Sequence, residues 1–164
     1  VVSAEDAPRV WQPLVESGAT PVGADAYEAV RVQWGIPSHG REIGEEYNPL
    51  EAGLIGCIDF AKGCYIGQEV IARLDTYQKV QKYLVALTFG QGAAVFEGAF
   101  LELGGQKVGK VTSVATNPAT GETVGLAYVR KGTAAEGSTL ELEEPSEGVA
   151  EIRSLCQLFG PGPD

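Results

Sequence analysis

Within eight consecutive positions, Lys62-Gly63-Cys64-Tyr65-Ile66-Gly67-Gln68-Glu69, the chain carries a thiol, a cation, an amide and a carboxylate. A thiolate is the reactive form of cysteine, and a cationic neighbour or a helix N-terminus favours it. Lys62 stands two residues before Cys64, and helical spacing begins just after Gly67. Over residues 68–79, Val70, Ile71 and Leu74 fall on one side and Glu69 and Arg73 pair at i, i+4 on the other. The amide-rich start of that helix is therefore expected beside the sulfur. Gly63 and Gly67 read as a tight turn that admits a ligand close to the backbone. Gln68 and Glu69 add hydrogen-bonding groups in the first helical turn. Cys64 and Lys62 are thus the candidate catalytic pair. A plain reading stands beside this one: a cysteine between Gly and Tyr also serves as a small buried apolar group.

The other thiols read differently. Cys57 and Cys156 lie in strand-like apolar runs and are expected in the core. Three cysteines and one histidine fit no zinc spacing, so no metal site is expected. Nor do three thiols make a four-ligand iron–sulfur site. His39 falls in a loop and reads as a surface histidine.

Two helices are expected ahead of the octapeptide. Ser3, with Asp6 three residues on, reads as a start, and Ala7, Val10, Trp11, Leu14 and Val15 make an apolar stripe that Gly18 ends. Asp25 and Glu28 open a second helix with Tyr27, Val30 and Trp34 on one face, Gly35 at its C-terminal cap and Pro37 beyond. Trp11 and Trp34 are read as packing residues, Trp34 also as a cavity wall. Residues 38–48 are expected to be a loop, Asn48-Pro49 to open a short turn through Ala52, and Leu54–Phe60 to be a strand. From Tyr83 the texture changes to short apolar or alternating runs separated by Gly and Asn-Pro turns: 83–89, 99–103, 107–114, 123–129, 138–143 and 149–159. Six such strands predict a small antiparallel barrel or sandwich, closed to protect its edges. The fold class expected is α+β: an α/β segment over 1–81, then a six-stranded β-barrel domain over 82–160, with the Gly-Pro tail continuing neither.

The charge balance of 12 basic and 22 acidic residues, net −10, argues against direct nucleic-acid binding. The acidic stretches Glu42–Glu46 and Glu141–Glu147 read as solvated faces. No apolar run reaches the ~20 residues of a membrane span, and no basic stretch followed by an apolar one marks a signal peptide. A reducing, cytoplasmic compartment is expected. There is no methionine, even at position 1, so the chain reads as a fragment of a longer polypeptide.

The octapeptide resembles the K-G-C-Y-x-G-Q-E signature of the YgfZ-type folate-binding proteins, in the superfamily of the glycine-cleavage T-protein, an aminomethyltransferase. Pro49-Leu50-Glu51-Ala52-Gly53-Leu54 looks like that superfamily's P-x-E-A-G-L element, and residues 30–37 resemble its R-x-E-x-G-I-P stretch. Gly109–Ser113 and Gly125–Arg130 look like strands of its C-terminal barrel. The resemblance implies a longer molecule in three parts, whose N-terminal region contributes much of a tetrahydrofolate cavity. It further implies Gln33, Arg31, Tyr65, Gln68 and Glu69 as cofactor-binding residues. The family's pterin-contacting glutamate is Gln33 here, an amide that donates and accepts but supplies no carboxylate. A cysteine at position 64 resembles the YgfZ-type branch, which implies folate-dependent help in iron–sulfur cluster assembly or repair, with iron–sulfur proteins as partners. The alternative is a true aminomethyltransferase served by a lipoyl carrier protein.

Overall fold

The computed structural model describes residues 1–76 and 80–156. Three helices, α1 (Ala7–Glu16), α2 (Ala24–Gln33) and α3 (Gln68–Thr76), precede six strands. The strands are β1 (Lys82–Phe89), β2 (Phe100–Leu103), β3 (Gln106–Thr116), β4 (Thr123–Arg130), β5 (Thr139–Leu142) and β6 (Val149–Leu155). They pair antiparallel in the order β1-β4-β3-β2-β5-β6, and β6 returns to β1 to close the barrel expected from the sequence. The end of the last expected strand (157–159), the Gly-Pro tail and residues 77–79 of the expected helix lie outside the described residues.

Side-chain alternation sorts the barrel into an inside and an outside. Val85, Leu87 and Phe89 of β1 and Ala127 and Val129 of β4 point in, joining Leu101, Leu140 and Ile152 in a closed core. Leu84 and Ala86 of β1 and Val124, Leu126 and Tyr128 of β4 point out, yet they too are buried. Their cover is Val32 of α2, Ala52 and Leu54 of the turn after Asn48, and Cys156. Burial on both faces explains why β1 and β4 read as nearly continuous apolar runs. Gly125 is required where it stands, since a Cβ there would lie 2.7 Å from the Phe89 ring.

Helix α2 ends as its sequence indicates. Gly35 takes φ +71°, its N–H donates to the Val32 carbonyl, and Ile36 N–H donates to the Arg31 carbonyl, a Schellman pattern. A side chain at Gly35 would also meet Cys156 Sγ at 2.8 Å. Asn48 caps its turn by accepting from Glu51 N–H at 3.0 Å.

Five expectations are corrected. Leu54–Phe60 is a short 3-10 turn at Ile55–Cys57 followed by irregular chain, not a strand. Cys57 is consequently exposed. The face of α2 that packs carries Ala29, Arg31 and Val32, whereas Tyr27, Val30 and Trp34 face outward, Trp34 being 75 % exposed. Arg31, polar by type, sits on the packed face because partners across the interface satisfy its charge. Glu42, expected on a solvated face, is completely buried as one of those partners. The stripe on α1 forms as spaced, but every residue of that helix is exposed.

Candidate functional site: the thiol loop and the wall beside α2

The octapeptide is held from both ends. Asp59 Oδ1 accepts from Ala61 N–H at 2.9 Å and Lys62 N–H at 3.0 Å, an Asx turn that starts the loop. At the far end Gly67 takes φ +90°, Gln68 N–H donates to the Tyr65 carbonyl, and Ile71 N–H donates to the Gly67 carbonyl as α3 begins. Among the described residues the Glu69 and Val70 amides have no backbone acceptor, as expected of a first helical turn. Gly63, by contrast, lies outside the left-handed region with open space around it, so no conformational demand explains it.

Cys64 is exposed between these two ends, so the plain reading of a packed sulfur does not hold. Lys62 is exposed as well, and its Nζ stands 4.7 Å from the centroid of the half-buried Tyr65 ring. Gln68 is half-buried. Glu69 is exposed and bonds Arg73 at 2.8 Å, the i, i+4 pair read from the sequence. Such an exposed pair is worth about 0.3–0.5 kcal/mol. Cys156 differs in kind: burial pushes its thiol up to about 12, so it stays protonated near neutral pH.

Arg31 has a different task from the one the resemblance implied. Its guanidinium is 2 % exposed. Nε donates to Glu28 Oε2 at 2.8 Å, and Nη2 donates to Glu28 Oε1 and to Ser113 Oγ at 2.7 Å. Nη1 donates to the Ile36 carbonyl at 3.0 Å and to Glu42 Oε2 at 3.2 Å. A guanidinium has five N–H groups, and these bonds use all of them, leaving none for a ligand. Ser113 Oγ in turn donates to Glu42 Oε1 at 2.6 Å, and Tyr128 Oη donates to the Glu42 carbonyl at 2.8 Å. Burial works against charge on Arg31, but its bond to Glu28 and the charges of Glu42, Glu28 and Glu97 outweigh this and raise its pKa. The bond from Arg31 holds Glu28 below the usual carboxylate range despite partial burial. Burial raises the Tyr128 phenol strongly, so it remains a neutral donor.

Gln33 is half-buried at the end of α2. Its Oε1 accepts from Asn117 Nδ2 at 3.1 Å, and its backbone carbonyl accepts from Arg153. Its Nε2 has no hydrogen-bond partner among the described residues. The structure therefore brings Arg31 and Gln33 against the barrel wall, and brings Lys62, Cys64 and Tyr65 together in the loop. Among the described residues no hydrogen bond or ion pair joins the two groups. Sequence reasoning missed Glu42, Ser113 and Tyr128: Ser113 meets Arg31 across 82 residues, and Ser113 and Tyr128 meet Glu42 across 71 and 86. Only the recognisable T-S pair at 112–113 hinted at them.

A family model described as the glycine cleavage T-protein C-terminal barrel domain matches residues 82–153. Residues 82–153, the six-stranded barrel and its connections, are thus similar to that domain. Similarity runs beyond the barrel. A putative chloroplastic transferase from Arabidopsis thaliana is 39 % identical over 153 residues, covering 93 % of this chain and 35 % of that protein. An aminomethyltransferase from Symbiobacterium thermophilum is 32 % identical over 146 residues, covering 86 % of this chain and 39 % of that one. The glycine cleavage system aminomethyltransferase T from Bartonella henselae shares the fold over 95 % of this chain and 46 % of its own, with a TM-score of 0.76 at 24 % identity. The chain thus spans less than half the length of each of these proteins. No described helix is long and apolar enough to cross a membrane.

Proposed function

We propose that this chain is the C-terminal portion of a tetrahydrofolate-dependent transferase of the aminomethyltransferase type. The observation that carries the reading is the reach of the likeness. Relatives named aminomethyltransferase or transferase align with 86 % to 93 % of the chain, so residues before the barrel are included. In this reading Gln33, Tyr65, Gln68 and Glu69 face a folate cavity completed by the rest of the polypeptide, and Arg31 holds α2 in place behind them. The reaction would pass the methylene carbon of an aminomethyl group from a lipoyl carrier protein to tetrahydrofolate and release the amine as ammonia. The test is methylenetetrahydrofolate formation by the full-length protein supplied with aminomethyl-loaded carrier and tetrahydrofolate. Turnover with ammonia release is expected; none under saturating folate would overturn the reading.

The exposure of Cys64 favours a second reading, the folate-binding accessory protein of iron–sulfur assembly or repair. An accessible thiol beside a lysine and a helix start is where a transient thiolate would act. Replacing Cys64 by Ala should then abolish rescue of a cluster-maturation defect while the fold persists. Full rescue by that variant excludes it.

A further inference from the structure

Four of the chain's twelve Lys and Arg side chains line one open hollow of about 350 Å³ on the outer face of the barrel: Lys82 of β1, Lys107 and Lys110 of β3, and Arg130 of β4. The ladder dictates the gathering. Lys82 stands directly opposite Arg130, and Lys110 opposite Tyr128, whose ring forms part of the wall. Like charges facing one another across a ladder destabilise it unless something offsets them. Among the described residues Lys82, Lys110 and Arg130 have no carboxylate within ion-pair distance. Lys107 alone is paired, with Glu143 at 2.7 Å, and Glu46 is the one carboxylate on the wall. A chain with 22 acidic residues has carboxylates in ample supply, yet among the described residues only Glu143 pairs with a cation of this hollow.

Two of the cations also stand over rings. Lys82 Nζ lies 5.2 Å from the Tyr47 ring centroid and Lys107 Nζ 4.2 Å from that of Phe100. Tyr47 is itself stacked on Tyr128 at 3.6 Å, so that side of the wall is fixed. Lysine ammoniums acting as point charges and one arginine fork suit the oxygens of a phosphate. Nucleic-acid backbones need cations along an extended track, whereas these four converge on a hollow of small-molecule size. We infer that this hollow binds a small phosphorylated ligand carrying at least two negative charges. Neither the thiol loop nor Gln33 lines the hollow, and the inference does not depend on the folate reading.

The experiment is calorimetric titration of the 164-residue chain with inorganic tripolyphosphate, citrate and a single-stranded oligonucleotide in parallel, at low and at physiological ionic strength. Saturable one-to-one tripolyphosphate binding is expected. Combining K82Q with R130Q should weaken it at least about tenfold, while R9Q, at an exposed cation of α1 that does not line the hollow, should leave it within about twofold. Absence of saturable binding, or an equal loss in R9Q, overturns the site. Citrate binding as tightly overturns the phosphate assignment, and tighter oligonucleotide binding overturns the small-ligand assignment. A second readout guards against misfolding. Without ligand, K82Q should match or exceed the parent's melting temperature, because a like-charge contact is relieved. A clear fall would mean that Lys82 is already offset and would remove the argument.

Discussion

The barrel and the segment before it solve opposite problems with similar residues. In the barrel, twelve residues from Val85 to Ile152 form a closed core made entirely by the chain itself. Before it, Trp11, Leu14, Tyr27, Val30, Trp34, Phe60, Ile66 and Val70 are all exposed, and α1 buries nothing. The segment instead docks through one side of α2 and the turn after Asn48, joined to β3 and β4 by a buried ionic network around Arg31 and Glu42. The difference teaches that the barrel supplies a foundation of its own stability, while the preceding residues are positioned on it. The candidate site residues belong to the second region, where sequence is not committed to a self-contained core.

Substitutions can sharpen or break this comparison. The largest effect is expected from L87A, which opens a cavity in the barrel core and should cost about 2–5 kcal/mol in denaturant unfolding. A smaller loss than α1 substitutions give would deny the barrel its role. Next is E42A, which takes one carboxylate from the buried Arg31 and should cost about 3 kcal/mol. Its signature is regional: amide exchange should accelerate over α2 and residues 36–54 while the barrel strands keep their protection. Uniform acceleration would show one cooperative unit instead of two regions.

A weaker effect follows from Glu28. Its folded pKa lies below the unfolded value, so it contributes stability above about pH 4.5, and that contribution is lost as pH falls through the depressed folded pKa. The urea midpoint of E28Q should therefore fall below the parent's near pH 6, and the gap should narrow toward pH 3. A constant gap would mean that the charge is not what Arg31 recognises. The smallest effect is expected from L14A, within about 0.5 kcal/mol, because its site on α1 touches no core.

How much of this was legible in the sequence depended on whether the cause was local. Period-two runs between Gly turns gave all six strands near their observed bounds, and Gly35 and Asn48 announced their caps, because both signals are written within a few residues. The i, i+4 pair of Glu69 and Arg73 was equally local. What failed depended on distant partners. Tyr27, Val30 and Trp34 make a better apolar face than Ala29, Arg31 and Val32, yet the latter packs, since Ser113 and Glu42 await Arg31 on the other side. Glu42 looked like one more acid in a run of acids for the same reason. Leu54–Phe60 has strand composition but no neighbouring strand to pair with. The octapeptide was found by residue type and spacing, whereas its relation to Gln33 is not recorded in either stretch alone.

The central proposal is that the full-length protein binds tetrahydrofolate through the region ahead of the barrel, and its thermal unfolding across a tetrahydrofolate titration tests this most directly. A ligand that binds only the folded state stabilises it by about 2.7 kcal/mol at a hundredfold excess over Kd. The account predicts a saturable rise in melting temperature that Q33A diminishes and L14A does not. No rise at saturating folate, or a rise that Q33A leaves unchanged, would contradict it.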